Sequence, residues 1–252
     1  MRQHPEYESL VGGIADSELD AIQFLSPDGR PMLTLVTYAA HPLTVGMYEH
    51  VITADYCGRL VERLEQRYAA PAIFFQGAAG DLHGKGLFSG FARQEEMAKN
   101  LAVEAIRVLD DPGVKPFVPD GLRVRRACLP MTIDRARRDA DRWNAAIFHE
   151  DFEVEVQAVA LGPVVFCSSP GELCCEPGLR IRWNSPFPQT WILYLCNGYV
   201  GYLAHRRAHV EGGYEWETSC LPRDACETIV KTAERFCLEL REAASQGGPF
   251  PA

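Results

Sequence analysis

Runs of apolar and β-branched residues alternate along the chain with stretches whose apolar positions recur every three or four residues. Glycine, proline or aspartate bounds most of the apolar runs. Such composition and such boundaries are typical of strands. The predicted strands are 21–26, 31–40, 70–77, 121–131, 152–169 and 190–197.

Four longer segments predict helices with one face toward the core. In 54–69 the apolar positions are Leu60, Leu64 and Tyr68, and in 93–111 a four-residue repeat begins at Met97. The many charged residues of the third segment, 135–150, suit a helix face exposed to solvent. The predicted helices are 54–69, 93–111, 135–150 and 224–244. Strands that alternate with helices indicate an α/β fold, with mixed β-sheets flanked by α-helices because some neighbouring strands are too close for a crossover helix.

The length of 252 residues suits one domain, with loose termini at 1–19 and 246–252. A net charge of −9 argues against a nucleic-acid partner, whose binding needs a basic surface. The chain has no transmembrane run of about 18 apolar residues and no N-terminal signal, so we expect a cytoplasmic protein. Nine cysteines, an odd number, favour reduced thiols over a disulfide framework.

Histidine, aspartate and glutamate stand where predicted strands end. His41 precedes Pro42, which disfavours helix for the residue before it, so His41 should lie extended at a strand-to-loop junction. Backbone groups alone would also satisfy a histidine there. Asp81 and His83 follow the third strand in a glycine-rich loop. This is not a phosphate loop, because Ala79 occupies a position that requires glycine.

Glu172 lies in a Pro-Gly turn before a predicted helix, where a carboxylate also favours the positive end of the helix dipole. The glycine- and tyrosine-rich segment after the last strand holds His205 and His209, spaced as two metal ligands on a helix, although the neighbouring glycines argue against a helix. The basic run 205–209 either meets an anionic group or is a solvated loop. Together, these strand-end residues predict a polar cleft.

Six motifs in order resemble the catalytic domain of the neutral/alkaline non-lysosomal ceramidase family, especially its bacterial relatives. The motifs, which span about residues 20 to 240, are HPLTVG, ITADYCGRLVERLE, FFQGAAGD, SSPGEL, LCNGYVGY and EGGYE. Members of that family are zinc-dependent amidases that cut ceramide into a fatty acid and sphingosine. The resemblance therefore implies zinc as cofactor and a small-molecule or lipid amide as substrate.

The resemblance also implies roles for individual residues. His41, Glu172 and Tyr202 match the family's zinc ligands in the His-Pro-Thr, Pro-Gly-Glu and Asn-x-Tyr-x-x-Tyr motifs. Nitrogen and oxygen donors suit zinc, which polarises an amide carbonyl or lowers the pKa of bound water. Asn197 and Tyr199 precede Tyr202 in the same motif and would support the ligands or contact substrate.

Two aspartates match positions that would orient ligands and loops. Asp55 and Asp81 fill this role by resemblance, although both also suit turn-forming aspartates. The family's reaction-centre serine is replaced by His83, which would join Asp81 as a catalytic residue. His83 would bind metal, act as general base for a zinc-bound water, or only fill space. A further difference is Leu43, which stands before Thr44 in the first motif.

The family's first zinc histidine, in a Thr-His-Thr-His-Ser-like segment, has no counterpart among residues 1–40. We therefore expect an incomplete version of the catalytic domain, corresponding to its second half. A missing ligand lowers zinc affinity, and strands without partners favour homo-oligomers. Two functions follow as hypotheses: a zinc-dependent hydrolase that cleaves an N-acyl amide, ceramide or a related small amide, or a truncated, non-catalytic remnant that serves as a binding module.

Overall fold

A computed structural model describes residues 14–46, 49–84, 88–114, 116–119 and 121–245. The predicted loose termini therefore lie largely outside the described residues. The strands of this part of the chain are β1 Leu19–Leu25, β2 Pro31–Tyr38, β3 Ala72–Gln76, β4 Leu122–Met131, β5 Phe152–Leu161, β6 Val164–Ser168, β7 Glu172–Leu173, β8 Gln189–Leu193 and β9 Tyr202–Leu203. The helices are α1 Asp55–Tyr68, α2 Phe91–Leu109, α3 Arg135–Ala140, α4 Arg142–Ile147, α5 Cys175–Asn184, α6 Ala208–Glu211, α7 Tyr214–Glu217 and α8 Ala225–Ser245.

The first sheet has the order β1-β2-β3 and is packed against α1 and α2. β1 and β2 form an antiparallel hairpin, and β3 is parallel to β2 because α1 carries the chain back between them. Leu60 and Leu64 of α1 are fully buried beside Val36 of β2 and Ala98 of α2. The apolar stripe that predicted α1 is therefore the face that covers this sheet.

The second sheet has the order β4-β5-β6-β8. β4, β5 and β6 run antiparallel, whereas β6 and β8 are parallel and are connected through α5. α8 packs across this sheet, and its Ile229 and Phe236 share a core with Val156 of β5 and Ile192 of β8. The class predicted from the sequence, α/β with mixed sheets flanked by helices, is confirmed.

The two sheets pack against each other through the faces that the helices leave free. Leu35 of β2, Val164 of β6 and Trp191 of β8 form this inner core. On β2, Val36 points to the helices and Leu35 to the other sheet, because successive side chains of a strand alternate between faces. The molecule is thus built in four layers: helices, sheet, sheet and helices.

Two predicted segments are divided in the structure. The predicted helix 135–150 is two short helices, since Asp141 adopts an extended conformation and its side chain accepts hydrogen bonds from Trp143 N and Asn144 N, which caps α4. The predicted strand 152–169 is a hairpin of β5 and β6, because Gly162 turns the chain with a φ of 57°.

All nine cysteines are free thiols, as their odd number predicted. None of the described helices combines the length and the apolar character that crossing a membrane requires.

Candidate functional site at the carboxyl ends of the strands

The candidate site lies where β2, β3, β6 and β8 end. Tyr194, the residue after β8, donates from its backbone N–H to the Gln76 carbonyl at the end of β3, at 3.0 Å. His41, after β2, donates its backbone N–H to the Leu82 carbonyl in the loop after β3, at 3.0 Å, and forms a parallel bridge with His83. These bonds bring loops from both sheets to one place.

Asp55 holds the loop that follows His41. Its buried carboxylate accepts hydrogen bonds from Thr44 N at 2.9 Å, Thr44 Oγ1 at 2.6 Å and Val45 N at 3.1 Å. The neighbouring Tyr56 hydroxyl donates to the Ala40 carbonyl at 2.6 Å. The Asp55 carboxylate therefore anchors the loop after His41, and the Tyr56 hydroxyl anchors the residue before it.

Glycine allows the turn that carries Glu172 to approach two other segments. A Cβ at Gly80 would lie 2.5 Å from the Glu172 carbonyl oxygen, and one at Gly171 would lie 2.6 Å from the Gly201 carbonyl oxygen. A side chain at either glycine position would therefore clash with the backbone carbonyl opposite it. Glu172 N therefore reaches the Gly201 carbonyl at 2.8 Å, and Glu172 pairs in parallel register with Tyr202.

His41, Glu172 and two tyrosines form one hydrogen-bonded cluster, and Tyr202 lies next to it. The Tyr194 hydroxyl donates to Glu172 Oε2 at 2.8 Å and lies 3.1 Å from His41 Nε2. The Tyr199 hydroxyl donates to Glu172 Oε1 at 3.1 Å, and Tyr202 lies beside Glu172 as its partner in the pairing of β7 with β9. His41 Nε2 lies 3.3 Å from Glu172 Oε2, and the two side chains are only 21% and 11% exposed.

The electrostatics of the cluster act on its carboxylate and on the neighbouring tyrosines. Burial raises the pKa of Glu172, but hydrogen bonds from His41, Tyr194 and Tyr199 outweigh burial, and the pKa lies below its ordinary 4.5. Burial and the Glu172 charge raise the pKa of Tyr199 to about 12, and they also raise the pKa of Tyr194 and Tyr202. At neutral pH a carboxylate therefore lies among neutral phenols.

Tyr194 was missed by sequence reasoning. It directly follows the apolar run of β8, much as His41 follows that of β2, and it is buried. A polar residue at the end of a buried strand was the available signal. Its role depends on two partners, His41 and Glu172, that are distant in the sequence.

The other predicted residues take different positions. Asp81 Oδ1 accepts a hydrogen bond from Cys175 N, the first residue of α5, at 2.6 Å, so it caps that helix. His83 is exposed, with Nδ1 3.1 Å from the Gly84 carbonyl, and joins His41 through the backbone bridge. Asn197 Nδ2 donates to Glu155 Oε1 at 3.0 Å.

His205 and His209 engage separate partners. His205 Nδ1 accepts from Ala208 N at 3.2 Å, whereas the His209 ring stacks on Trp216 with centroids 3.9 Å apart. His209 lies in the four-residue helix α6, which does not include His205, so the two histidines do not share a helix face.

The donor atoms of the cluster can be compared with those of a metal site. In the part of the chain that the structure describes, no group of three or more His, Cys, Asp or Glu side chains is arranged to hold a metal. The cluster contributes two such residues, His41 and Glu172. Their 3.3 Å separation fits two ligands of a tetrahedral zinc with bonds of about 2.0–2.1 Å. Tyrosine oxygen is the remaining donor type in the cluster.

The fold and this site define a four-layer α/β protein with a polar cluster at its strand ends. This fold is similar to that of a part of solved ceramidase structures. Neutral ceramidase from Pseudomonas aeruginosa matches with a TM-score of 0.74 and 15% identity, over 91% of this chain and 47% of that one. A ceramidase complexed with C2 matches with a TM-score of 0.74 and 14% identity, over 91% and 48%.

At these identities the likeness establishes a ceramidase-like fold, which confirms the predicted resemblance at the level of the fold. The chain spans about half the length of the two ceramidase structures. No family model matches the sequence, and no curated protein matches it.

Proposed function

We propose that the chain is a zinc-dependent hydrolase of the ceramidase-like type, which cleaves an N-acyl amide such as ceramide or a related small amide. The observation that carries the proposal is the pairing of His41 Nε2 with Glu172 Oε2 at 3.3 Å, inside a cluster of tyrosines. This cluster stands at the strand ends of a fold shared with neutral ceramidases.

In this proposal His41, Glu172 and Tyr202 hold the zinc. A bound zinc polarises an amide carbonyl and lowers the pKa of a water molecule. Tyr194 and Tyr199 orient Glu172 through their hydrogen bonds to its two oxygens.

Three further residues support the site in different ways. Asp55 anchors the loop that carries the metal-binding histidine. Asp81 positions the start of α5, and His83, which stands at the position of the family's serine, accepts a proton from the attacking water.

The first test is metal content. We expect purified chain incubated with zinc and desalted to retain about one zinc per chain, and His41→Ala to lose it, as measured by mass spectrometry of the metal. His149→Ala is the matched control, because this histidine is exposed and its contact is made by its backbone carbonyl. Full zinc occupancy in His41→Ala would contradict the assignment.

A second candidate function is a non-catalytic binding module of the same fold. The observation that favours it concerns the number of metal-binding side chains. Within the described residues the cluster holds two side chains of the His, Cys, Asp or Glu types, and no group of three or more is arranged to hold a metal. A module of this kind would not hydrolyse short-chain fluorogenic ceramides or simple N-acyl amines at saturating zinc. Clear turnover that is abolished by Glu172→Gln would exclude it.

A further inference from the structure

Two buried thiols meet where α8 packs on the second sheet. Cys167 of β6 and Cys237 of α8 place their sulfur atoms 3.5 Å apart. The two residues belong to the core between this sheet and α8, and they are only 1% and 0% exposed. Since they lie 70 positions apart in the sequence, the packing of helix on strand is what pairs them.

The geometry of each element directs both thiols into the same core. On β6, Phe166 faces the other sheet, whereas Cys167 faces α8, because successive side chains of a strand alternate between faces. On α8, Ala233, Cys237 and Leu240 are spaced four and three residues apart and share the buried face. The fold therefore holds the two sulfur atoms against each other.

The two thiols differ in acidity. A hydrogen bond from Cys167 lowers the pKa of Cys237. The nearby Ser185 hydroxyl acts on this pKa in the same direction, although burial and Glu234 oppose it. The contact with Cys237 raises the pKa of Cys167, and burial raises the pKa of Cys226 to about 12. Because the thiolate is the nucleophilic form, Cys237 is the more reactive member of the pair.

A partly exposed segment lies next to Cys237. Ser185, which influences the Cys237 thiol, directly follows α5 and is half-buried, and its neighbours Asn184 and Pro186 are exposed. The Ser185 hydroxyl accepts a hydrogen bond from Thr190 Oγ1 at 2.6 Å. This segment gives an oxidant of about the size of water a route from the surface to the thiol.

We infer that Cys167 and Cys237 are a peroxide-reactive pair that closes to a disulfide between β6 and α8. The Cys237 thiolate attacks one oxygen of hydrogen peroxide and breaks the O–O bond, which gives a sulfenic acid and, with the thiol proton, one water. The Cys167 sulfur then attacks the sulfenic sulfur, forms the S–S bond and releases a second water. In sum, the two thiols lose two protons and two electrons, and the peroxide is reduced to two water molecules.

The disulfide would tie α8 to the strand that leads into the turn carrying Glu172. The sulfur atoms need to approach from 3.5 Å to about 2.05 Å. A disulfide that closes a loop of 70 residues restricts the unfolded chain and so stabilises the fold. The inference is independent of the proposed function, because neither cysteine belongs to the cluster around Glu172.

The test uses the full chain, first reduced and then treated with hydrogen peroxide, alkylated in denaturant and digested without reductant. We expect mass spectrometry to find a peptide cross-linked between Cys167 and Cys237, lighter by two hydrogen atoms than the two thiol peptides together. The midpoint of thermal unfolding should rise by about 5–15 °C on oxidation and return to its first value with dithiothreitol.

Cys237→Ala and Cys167→Ala should each abolish this rise, and either variant suffices if the other fails to fold. Cys128→Ala is the matched control and should keep the rise, because Cys128 is an exposed thiol on β4. Separate alkylation of Cys167 and Cys237 after peroxide treatment would overturn the proposal. A rise that persists in Cys237→Ala would also overturn it, because another thiol would then be responsible.

Discussion

Glu172 accepts hydrogen bonds from several donors that arrive from different segments. Tyr194 donates to its Oε2 and Tyr199 to its Oε1. His41 Nε2 lies near Oε2, the oxygen that also accepts from Tyr194. A buried carboxylate needs such partners, because an unsatisfied buried charge is costly. The tyrosines therefore maintain the geometry of the cluster as well as its charge.

At the scale of single residues, we predict that Tyr194→Phe lowers the free energy of unfolding by about 1–3 kcal/mol, because it removes a hydrogen bond to a buried carboxylate. Urea denaturation measures the change. Tyr68→Phe is the control, since the Tyr68 hydroxyl donates to Asp110 at the exposed surface and its loss should cost less than about 1 kcal/mol. Equal losses in the two variants would contradict the role given to Tyr194.

At the scale of elements, ion pairs join α5 to α8. Arg180 of α5 donates to Glu227 at 2.6 Å and to Glu234 at 3.0 Å, both on α8. α5 begins directly after the turn that carries Glu172, so its docking on α8 supports the position of that turn. Each of the Arg180 and Glu227 side chains is about a third exposed, which limits the strength of their pair.

The hydrogen bond from Arg180 lowers the pKa of Glu227 below its ordinary 4.5. A lowered pKa in the folded state stabilises the protein above the unfolded pKa, and this contribution is lost as the pH falls through the folded pKa. We predict that Glu227→Gln lowers the free energy of unfolding by about 0.5–1 kcal/mol at pH 7. The deficit should shrink below pH 4.5.

Urea denaturation at a series of pH values measures this difference. Glu62→Gln is the control, because the Arg59–Glu62 pair lies within α1 with both side chains more than half exposed. A Glu227→Gln deficit that stayed constant on acidification would show that the charge of Glu227 is not what stabilises the contact.

At the scale of the whole molecule, Trp191 links the two sheets. It is 1% exposed, and its ring meets Phe166 edge-on at 5.3 Å within the inner core. Its indole N–H finds no acceptor among the described residues, so its contribution is one of packing. Both sheets depend on this core, because their other faces are committed to the helices.

We predict that Trp191→Ala destabilises the protein by about 3–5 kcal/mol, because it empties a large volume between the sheets. Thermal and urea unfolding followed by circular dichroism measure the loss. Trp183→Ala, at a site 70% exposed, should change stability by less than about 0.5 kcal/mol. A small loss at Trp191 would mean that the two sheets are stabilised independently.

Much of the fold was predictable because local pattern determines local structure. Apolar runs identified β1 to β4 and β8, and they identified β5 and β6 as one continuous strand; four-residue repeats identified α1 and α2, and the last predicted helix is α8. The short elements β7, β9, α6 and α7 escaped, since they hold too few residues to show a period. Their pairing, such as Glu172 with Tyr202, arises from contacts between distant segments.

The sequence by itself determined where the strands end and which polar residues follow them. It therefore placed His41 and Glu172 after the ends of β2 and β6. Only the tertiary structure decided which of them meet. Tyr194 contacts His41 across 153 residues of sequence, and Asp81 turned out to cap α5. Such contacts depend on how two sheets and their loops pack, and side-chain periodicity carries no information about that geometry.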